Sequence, residues 1–414
     1  MIGIGGIGMS GLARYFNMRG ISVSGYDKVS TPLTDQLIAE GIPIHFTEDI
    51  TAIPGNIDLV IYTPAIPVDH KELVFLQNNG TPVKKRAEIL MQISEGQYTV
   101  AVAGTHGKTT ISSMITHILH HTEKELNAFV GGMMKNYQSN FIGSDSNGVY
   151  VIEADEYDRS FLKLFPDIAV ISSMDADHLD IYGDKKTMVN TFRQFATQVK
   201  PGGVLIINKK LSGNFSTFED IFSYAVGDPA DYAVTEYNIE SGQFVFDLKL
   251  RDEIIKDICF RIPGKHNIEN AVAAAAVCKE IGLSAQDIKS GLESYQGVAR
   301  RFDIRINEKD FVYIDDYAHH PEEIKSCISA VRDFYPGKKV TGIFQPHLFT
   351  RTRDFAEEFA KSLDLLDDAI LLDIYPAREE PVEGVTSGLI MDLMKLPVKE
   401  LSSKEQLLDI INER

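Results

Sequence analysis

A segment that combines two glycines, a lysine and several hydroxyl side chains, Gly104-Thr-His-Gly-Lys-Thr-Thr110, has the composition of a phosphate-binding loop. It directly follows a β-branched apolar run that ends at Ala103, and a helical pattern continues from Ile111. A glycine turn at a helix N-terminus directs backbone N–H groups and the positive helix end toward phosphates. Lys108 can reach the β- and γ-phosphates of a nucleotide, and the Thr109 hydroxyl can ligate Mg²⁺. The segment therefore predicts a site for ATP and Mg²⁺.

Two acidic segments end or follow apolar strand patterns and carry the side chains that Mg²⁺ prefers. Glu153-Ala-Asp-Glu-Tyr157 stands at the end of one pattern, and Asp175-Ala-Asp-His-Leu-Asp180 follows the next. Carboxylates at the C-terminal edge of a parallel sheet, beside a phosphate loop, suit Mg²⁺ coordination. His178 lies among acids at this expected active edge, so we predict a functional role for it.

A second glycine motif stands almost at the first residue. Gly3-Ile-Gly-Gly-Ile-Gly8 matches the dinucleotide fingerprint G-x-G-x-x-G, and Asp27 follows the next strand pattern as the acidic ribose partner. An NAD-dependent oxidoreductase is therefore one hypothesis. A chain with both this fingerprint and an ATP-type loop fits better with the binding of two different nucleotides.

Histidines, arginines and amides concentrate at expected strand ends in the later part of the chain. They lie in Gly264-Lys-His-Asn-Ile-Glu-Asn270, Arg300-Arg-Phe302, Asp315-Asp-Tyr-Ala-His-His-Pro321 and Gln345-Pro-His-Leu-Phe-Thr-Arg351. Histidines beside prolines at strand ends are unusual for core packing, although a structural loop histidine is the alternative for any single one. As a set, these segments indicate further binding residues.

Length and composition restrict the class of protein. The 414 residues exceed what one hydrophobic core serves, which predicts roughly two to three domains. The net charge of -18 repels phosphate backbones and anionic lipids, so we expect no nucleic-acid partner and no membrane insertion. No apolar stretch has the length of a membrane span, and no secretory signal is visible. Three scattered cysteines, Cys259, Cys278 and Cys327, form no metal spacing and predict a cytoplasmic protein.

Apolar runs alternate with helical patterns, which predicts an α/β fold of three units in series. The expected strands are Ile21–Gly25, Ile57–Tyr62, Tyr98–Ala103, Val149–Glu153, Ile168–Ser172, Gly203–Asn208, Phe311–Asp315, Lys339–Phe344 and Ala369–Asp373. Alternating polarity from Asp231 to Ile262 predicts an antiparallel insert. We place the domain limits at 1–94, 95–297 and 298–414.

These motifs together resemble those of the Mur ligase family, and the similarity runs from Gly3 to about Pro376. It is carried by Ala103-Gly-Thr-His-Gly-Lys-Thr-Thr110, Glu153-Ala-Asp-Glu156, Asp177-His178, His266-Asn-Ile-Glu-Asn270, Asp315-Asp-Tyr-Ala-His-His-Pro321 and Phe344-Gln-Pro-His347. The first glycine motif with Arg86-Ala-Glu88 is typical of the alanine-adding branch and its closest relatives. The resemblance implies a Rossmann-like N-terminal domain, a central P-loop ATPase domain with a mixed sheet, and a C-terminal Rossmann-like domain. We expect both ends of the chain to be trimmed, because the fingerprint has almost no preceding strand and the expected last strand is missing.

The resemblance also implies roles for individual residues. The UDP-sugar would contact Gly5, Gly6, Gly8, Asp27, Thr63 and Arg86. ATP would contact Gly104, Thr105, His106, Gly107, Lys108, Thr109, Thr110, Asn267, Asn270, Arg301 and Asp316. The Mg²⁺ ligands would be Thr109, Glu153 and His178, and the incoming amino acid would lie among His320, His347 and Arg351. Lys108, His178 and His320 are the catalytic candidates, and either histidine can serve as the base.

The implied reaction is ATP-dependent ligation of L-alanine to the lactyl carboxylate of UDP-N-acetylmuramate through an acyl phosphate, in peptidoglycan precursor synthesis. A ligase that recycles a whole peptide onto the same sugar is an alternative, and the oxidoreductase is an alternative of a different class. We expect a monomer or a homodimer. Two positions depart from the family pattern: Phe192 replaces a modified lysine of several sister ligases, and Leu348 replaces an arginine of many alanine-adding ligases.

Overall fold

The computed structural model describes residues 1–175, 179–377 and 379–412. The chain divides into two compact units, the first made of Met1–Ile262 and Asn267–Ala299 and the second of Pro263–His266 and Arg300–Arg414. The first unit contains the N-terminal and central α/β parts together, so the expected domain limit at residue 94 stays a prediction. Within the described ranges, no helix has the length and apolar character needed to cross a membrane.

The N-terminal part is a small parallel sheet with helices between its strands. The strands are β1 (Gly25–Tyr26), β2 (Ile44–His45), β3 (Val60–Tyr62) and β4 (Val83–Lys85), and the helices are α1 (Ile7–Met18), α2 (Pro32–Ala39), α3 (Lys71–Asn78) and α4 (Arg86–Ser94). β1 pairs with β2 and β3 pairs with β4, both in parallel. Ile2, the residue just before the fingerprint loop, forms parallel bridges to Tyr26 and Tyr62 and therefore links the two pairs of strands.

The central part is built around a mixed sheet. Its strands are β5 (Tyr98–Ala103), β6 (Leu126–Met134), β7 (Ser139–Ile142), β8 (Val149–Glu153), β9 (Ile168–Ile171), β10 (Val204–Asn208), β11 (Ile221–Val226), β12 (Tyr232–Val234), β13 (Tyr237–Glu240), β14 (Gln243–Leu250) and β15 (Glu253–Phe260). The order is β13-β14-β12-β11-β10-β9-β5-β8-β6-β7, with β15 on β14. β5 lies between β8 and β9 and pairs with both in parallel, so the carboxyl ends of three neighbouring strands meet at one edge.

Helices cover this sheet: α5 (Lys108–His121), α6 (Leu179–Tyr182), α7 (Lys185–Ala196), α8 (Lys265–Glu280) and α9 (Ala285–Ser294). The apolar run Ala271–Cys278 lies within α8 and is fully buried. On α7, the side chain of Phe192 is fully buried and packs edge-on against Phe161. α1 shares an apolar core with the sheet, because its Leu12 and Tyr15 belong to the same buried cluster as Phe129 of β6.

The second unit has two sheets in its described residues. β16 (Asp303–Asn307) and β17 (Val312–Asp315) form an antiparallel pair, while β18 (Thr341–Phe344), β19 (Asp368–Leu372) and β20 (Lys399–Ser402) are parallel in that order. The helices are α10 (Pro321–Phe334), α11 (Phe349–Asp354), α12 (Ala356–Leu363), α13 (Ser387–Leu393) and α14 (Leu407–Asn412). Apolar side chains from α10, β18, α12, β19 and α13 form the core of this unit.

Two expected elements differ from the structure. The strand expected at Ile21–Gly25 is reduced to its last residue and Tyr26, because the partner strand β2 reaches only these two positions. The region from Asp231 to Ile262 contains the expected antiparallel strands β13 to β15. It is a continuation of the central sheet, since β12 pairs in parallel with β11 and in antiparallel with β14.

Candidate active site

The loop between β5 and α5 has a backbone that only glycine accommodates easily. Gly104 has φ +137°, and a Cβ atom there would collide with the Ser172 hydroxyl. Gly107 has φ +86°, and its Cβ would lie 2.6 Å from Oδ1 of Asn270. Positive φ angles are costly for residues with a side chain. The loop therefore depends on its glycines, and it lies close to Asn270, one of the two amides predicted to contact ATP.

Lys108, the first residue of α5, is turned back onto this loop and onto a buried acid. Its ammonium donates to the carbonyl oxygen of Gly104 at 2.7 Å and to Oε1 of Glu156 at 2.9 Å, and it lies 2.7 Å from Oε2. The Glu156 side chain is only 2% exposed. Burial lowers the pKa of Lys108, but the negative charges of Glu156, Asp155 and Glu153 raise it by more. Lys108 is therefore held as a buried cation.

Glu156 belongs to the acidic motif, yet sequence reasoning gave it no role. Burial raises the pKa of its carboxyl to about 7, while the charge of Lys108 lowers it. The Tyr182 hydroxyl donates to the Glu156 backbone carbonyl at 2.6 Å. The sequence could have indicated a role for this residue, because Glu156 is the fourth residue of the acidic segment Glu153-Ala-Asp-Glu156.

The predicted metal ligands Thr109 and Glu153 contact each other. The Thr109 hydroxyl donates to Oε1 of Glu153 at 3.0 Å, and the Gly131 amide donates to Oε2 at 2.8 Å. A carboxylate and a hydroxyl beside a phosphate loop are the oxygen ligands that Mg²⁺ takes, so these residues fit the ion. The third predicted ligand, His178, and its neighbour Asp177 lie outside the described residues. Among the residues that are described, no group of three or more His, Cys, Asp or Glu side chains is arranged to hold a metal.

The other predicted ATP contacts of the first unit surround the same loop. The His106 amide donates to the Ser173 hydroxyl at 2.8 Å, and the Thr105 hydroxyl donates to the Asp175 carbonyl at 3.0 Å. Thr110 is buried in the first turn of α5. On α8, the Asn270 amide donates to Oδ1 of Asn267 at 3.2 Å, and both side chains are buried.

The first glycine motif forms a tight turn at the N-terminus of α1. Asp27 accepts a hydrogen bond from the Gly5 amide at 2.8 Å, so its carboxylate fixes the turn directly. A Cβ on Gly8 would lie 3.0 Å from Nη1 of Arg86, and a Cβ on Gly3 would lie 2.7 Å from Thr63. The structure thus brings together the residues predicted to contact the UDP-sugar.

A cavity of about 280 Å³ connects the two predicted sites of the first unit. Its lining includes Gly6, Gly8, Thr63 and Arg86 from the N-terminal part and Gly131, Asn140, Glu153 and Asp155 from the central part. Arg86 lies 3.7 Å from Asp155, two residues after Glu153. A ligand held by the fingerprint loop can therefore extend to the carboxylate predicted to hold Mg²⁺.

Asn140, which sequence reasoning missed, joins this cavity to α1. Its side-chain amide donates to the Ser10 hydroxyl at 3.0 Å and its oxygen accepts from Arg14, which lies on the buried side of α1. Arg14 also pairs with Glu40 at 2.8 Å. No sequence signal links Asn140 to α1, because its partners Arg14 and Ser10 are 126 and 130 residues away along the chain.

In the second unit, the predicted residues lie at the carboxyl ends of β17 and β18. Asp316 accepts from the amides of Phe302 and Ala318 at 2.6 and 2.7 Å, and burial raises the pKa of its carboxyl. Arg301 lies 3.8 Å from Glu323, an acid of α10 that sequence reasoning missed and that also lies 3.4 Å from His319. These contacts build a compact group of charges.

The predicted amino-acid residues of this unit are largely packed into it. His320 caps α10 through Nδ1, which accepts from the Glu322 amide at 3.4 Å, and its ring packs against Phe355. The ring of His347 stacks on Tyr375 with centroids 5.6 Å apart. Arg351 is 7% exposed. Leu348 has φ +72° at the start of α11, a conformation that is costly for a branched side chain and that is often found at functional sites.

Comparison with known proteins covers nearly the whole chain. The family models described as Mur ligase family, catalytic domain, Mur ligase middle domain, and Mur ligase, glutamate ligase domain match residues 1–98, 102–278 and 300–413. The UDP-N-acetylmuramate–L-alanine ligase of Christiangramia forsetii is 48% identical over 99% of this chain and 90% of its own length. The enzyme of the same name from Flavobacterium johnsoniae is 49% identical over 98% and 90%.

A solved structure shares the fold at full length. The crystal structure of a UDP-N-acetylmuramate–alanine ligase from Thermotoga maritima superposes with a TM-score of 0.83 and 26% identity, covering 99% of this chain and 91% of the other. The match spans both compact units of the chain.

Proposed function

Because the chain belongs to the Mur ligase family and has its three-domain α/β fold, we propose that it joins L-alanine to the lactyl carboxylate of UDP-N-acetylmuramate and converts ATP to ADP and phosphate. The observation that carries the proposal is the cavity that runs from the fingerprint loop to Glu153, beside the phosphate loop with Lys108. It gives one anionic sugar nucleotide access to a triphosphate site. The relatives that share nearly half of the sequence carry the name of this activity.

The first step needs the sugar carboxylate and the γ-phosphate of ATP to meet. The turn of Gly5, Gly6 and Gly8 would hold the pyrophosphate of the sugar nucleotide, with Arg86 at the side of the cavity. The lactyl carboxylate attacks the γ-phosphorus, and ADP leaves, which gives an acyl phosphate. Lys108 would stabilise the charge that develops on the transferred group. Thr109 and Glu153, with His178, would hold Mg²⁺, which when bound neutralises phosphate charge.

In the second step the amine of alanine attacks the acyl carbon and phosphate leaves. A base must accept a proton from the amine, and His178 or His320 are the candidates. Arg301 and Asp316 would contact ATP from the second unit, and His347 and Arg351 would contact the amino acid. Exclusion of water protects the acyl phosphate from hydrolysis.

The chemistry of the cysteines supports a proposal for the compartment. Cys259, Cys278 and Cys327 are free thiols, and burial raises the pKa of the Cys278 thiol above its ordinary range. Free thiols persist in a reducing compartment, so we propose that the enzyme works in the cytoplasm, where it would supply peptidoglycan precursors.

A phosphate-release assay tests the proposal. Purified protein would be incubated with UDP-N-acetylmuramate, ATP and Mg²⁺, and with alanine, serine, glycine or the tripeptide of the recycling reaction in turn. We expect release that requires both the sugar and alanine, with the ligated product detected by mass spectrometry. Release with the tripeptide but without activity toward alanine would favour the recycling ligase. Binding of NAD(H) in the absence of ATP binding would favour the oxidoreductase.

A further inference from the structure

The ammonium of Lys108 already binds acceptors that would compete with nucleotide phosphates for it. It is bound to the Gly104 carbonyl, to the Glu156 carboxylate and, at 3.4 Å, to the Thr105 carbonyl. Two of these acceptors belong to the phosphate loop itself. A phosphate that binds Lys108 must therefore displace one of these three acceptors, because one ammonium has three donors in all. Glu156 is the acceptor that a phosphate repels, since both groups are anionic.

Glu156 cannot easily follow the lysine, because its backbone is fixed. The Tyr182 hydroxyl holds its carbonyl, and the next turn contains Asp158 and Arg159 with φ of +54° and +53°. Asp158 lies 3.7 Å from Lys85 of the N-terminal part. When a nucleotide takes Lys108, the buried Glu156 charge is left near the phosphates without its strongest partner, and both effects oppose binding.

We propose that Glu156 is a positioning residue that competes with nucleotide phosphates for Lys108, so that it weakens the binding of ATP and ADP and promotes release of ADP after each turnover. The inference rests on the proposed function, since it takes Lys108 to be the phosphate-binding lysine. Glu156 would recapture the lysine when the nucleotide leaves, which returns the loop to the arrangement seen here.

The direction of the effect separates competition from a structural role. Loss of a structural contact loosens the loop and weakens nucleotide binding, whereas loss of a competitor strengthens it. Glu156→Gln removes the charge but keeps an oxygen that accepts from Lys108. We expect this variant to bind ADP about fivefold more tightly, because an ionised acceptor is replaced by a neutral one.

The experiment measures the affinity of ADP, and of a non-hydrolysable ATP analogue, by calorimetry with the full chain in Mg²⁺. Steady-state assays with ATP, the sugar nucleotide and alanine give KM and kcat. In Glu156→Gln, KM for ATP should fall, and kcat should fall with it because slower ADP release limits turnover. Glu156→Asp keeps the charge and should restore ADP affinity toward that of the unaltered protein.

Asp158→Asn is the matched control. It removes one carboxylate from the same turn, but Asp158 is half-exposed and is not among the charges that act on Lys108. It should leave ADP affinity unchanged, and thermal melting would verify that all three variants fold. Equal or weaker ADP binding by Glu156→Gln would overturn the inference and leave the proposed function standing. Absence of nucleotide binding by the unaltered protein would overturn both.

Discussion

The first unit contains two glycine loops, each at the N-terminus of a largely buried helix, and a carboxylate contacts each loop in a different way. At the first loop, Asp27 accepts from the backbone amide of Gly5. At the second, Glu156 pairs with the side chain of Lys108. The first carboxylate therefore fixes backbone shape, while the second neutralises a cation. The comparison teaches that an acid beside an anion site can either build the site or oppose its ligand.

The largest difference between the two loops should appear when Lys108 is removed, because the first glycine turn contains no lysine. Lys108→Ala should reduce phosphate release roughly 10²–10³-fold, because a preorganised charge at the transferred group is lost. Binding of UDP-N-acetylmuramate to the first loop should change little. Lys361→Ala, at a side chain that is 72% exposed on α12, serves as the control and should retain activity. A Lys108→Ala variant that turns over normally would refute the assignment of the second loop to ATP.

The two loops should also differ in their tolerance of a methyl group. Gly104→Ala places a Cβ against the Ser172 hydroxyl at φ +137°, and we expect the free energy of unfolding to fall by about 1–3 kcal/mol. Gly6→Ala adds a Cβ atom at φ −65°, where the nearest neighbour of that atom is the Gly3 carbonyl oxygen at 3.4 Å. It should leave the urea midpoint unchanged but raise KM for the sugar nucleotide, because Gly6 lines the cavity. Equal destabilisation of the two variants would contradict this contrast.

The second loop was predictable because its parts are adjacent in the chain. A β-branched run, a glycine turn and a helix follow one another, and the structure has β5 and α5 at those positions. The pattern also predicted the acidic end of β8. Contacts across the fold were not predictable in this way. Asn140 meets α1 and Tyr182 meets Glu156 only through tertiary packing, for which no local residue pattern exists.

For the first loop, the sequence motif was recognised, but the strand expected close to it was predicted too long. The alternation at Ile21–Gly25 is typical of a strand, yet Ile21 is half-exposed and only Gly25 and Tyr26 pair. Pairing depends on the reach of the partner strand, which composition does not reveal. The motif itself, with Asp27 as its acidic residue, was found from spacing alone because the fingerprint is a local pattern. The contact of Asp27 with the Gly5 amide was not predicted.

A third measurement sharpens the contrast between the two carboxylates. Asp27→Ala removes the acceptor of the Gly5 amide, and we expect the affinity for UDP-N-acetylmuramate to fall about tenfold, since a charge-assisted hydrogen bond that shapes the loop is lost. Asp27→Asn keeps an acceptor oxygen and should recover much of the loss. ADP affinity should stay constant in both variants, whereas it should rise in Glu156→Gln. A tighter sugar complex in Asp27→Ala would show that Asp27 also competes with its ligand.

The smallest expected effect concerns the helices behind the two loops, which are anchored differently. α1 is held by the charged Arg14, whereas α5 is held by His117, whose ring nitrogens contact the Tyr137 hydroxyl at 2.7 Å and the Ser294 hydroxyl at 2.9 Å. Burial lowers the pKa of His117 from 6.5 to about 4, with smaller contributions from His121 and His120. The folded chain therefore binds fewer protons than the unfolded chain between these two values.

The contribution of His117 to the free energy of unfolding is thus fully present above the pKa that this residue has in the unfolded chain. It is lost as the pH falls toward the pKa that it has in the folded chain. From about pH 7 to about pH 5.5, this group should remove about 1 kcal/mol from the free energy of unfolding. Urea titrations at both pH values would measure the loss, and His117→Gln should reduce it. His121→Gln, at an exposed position of the same helix, should retain most of the loss because burial is the main cause of the shift. If His117→Gln leaves the pH dependence unchanged, then α5 is not held by a neutral histidine, and the two helices do not differ in the way their anchors indicate.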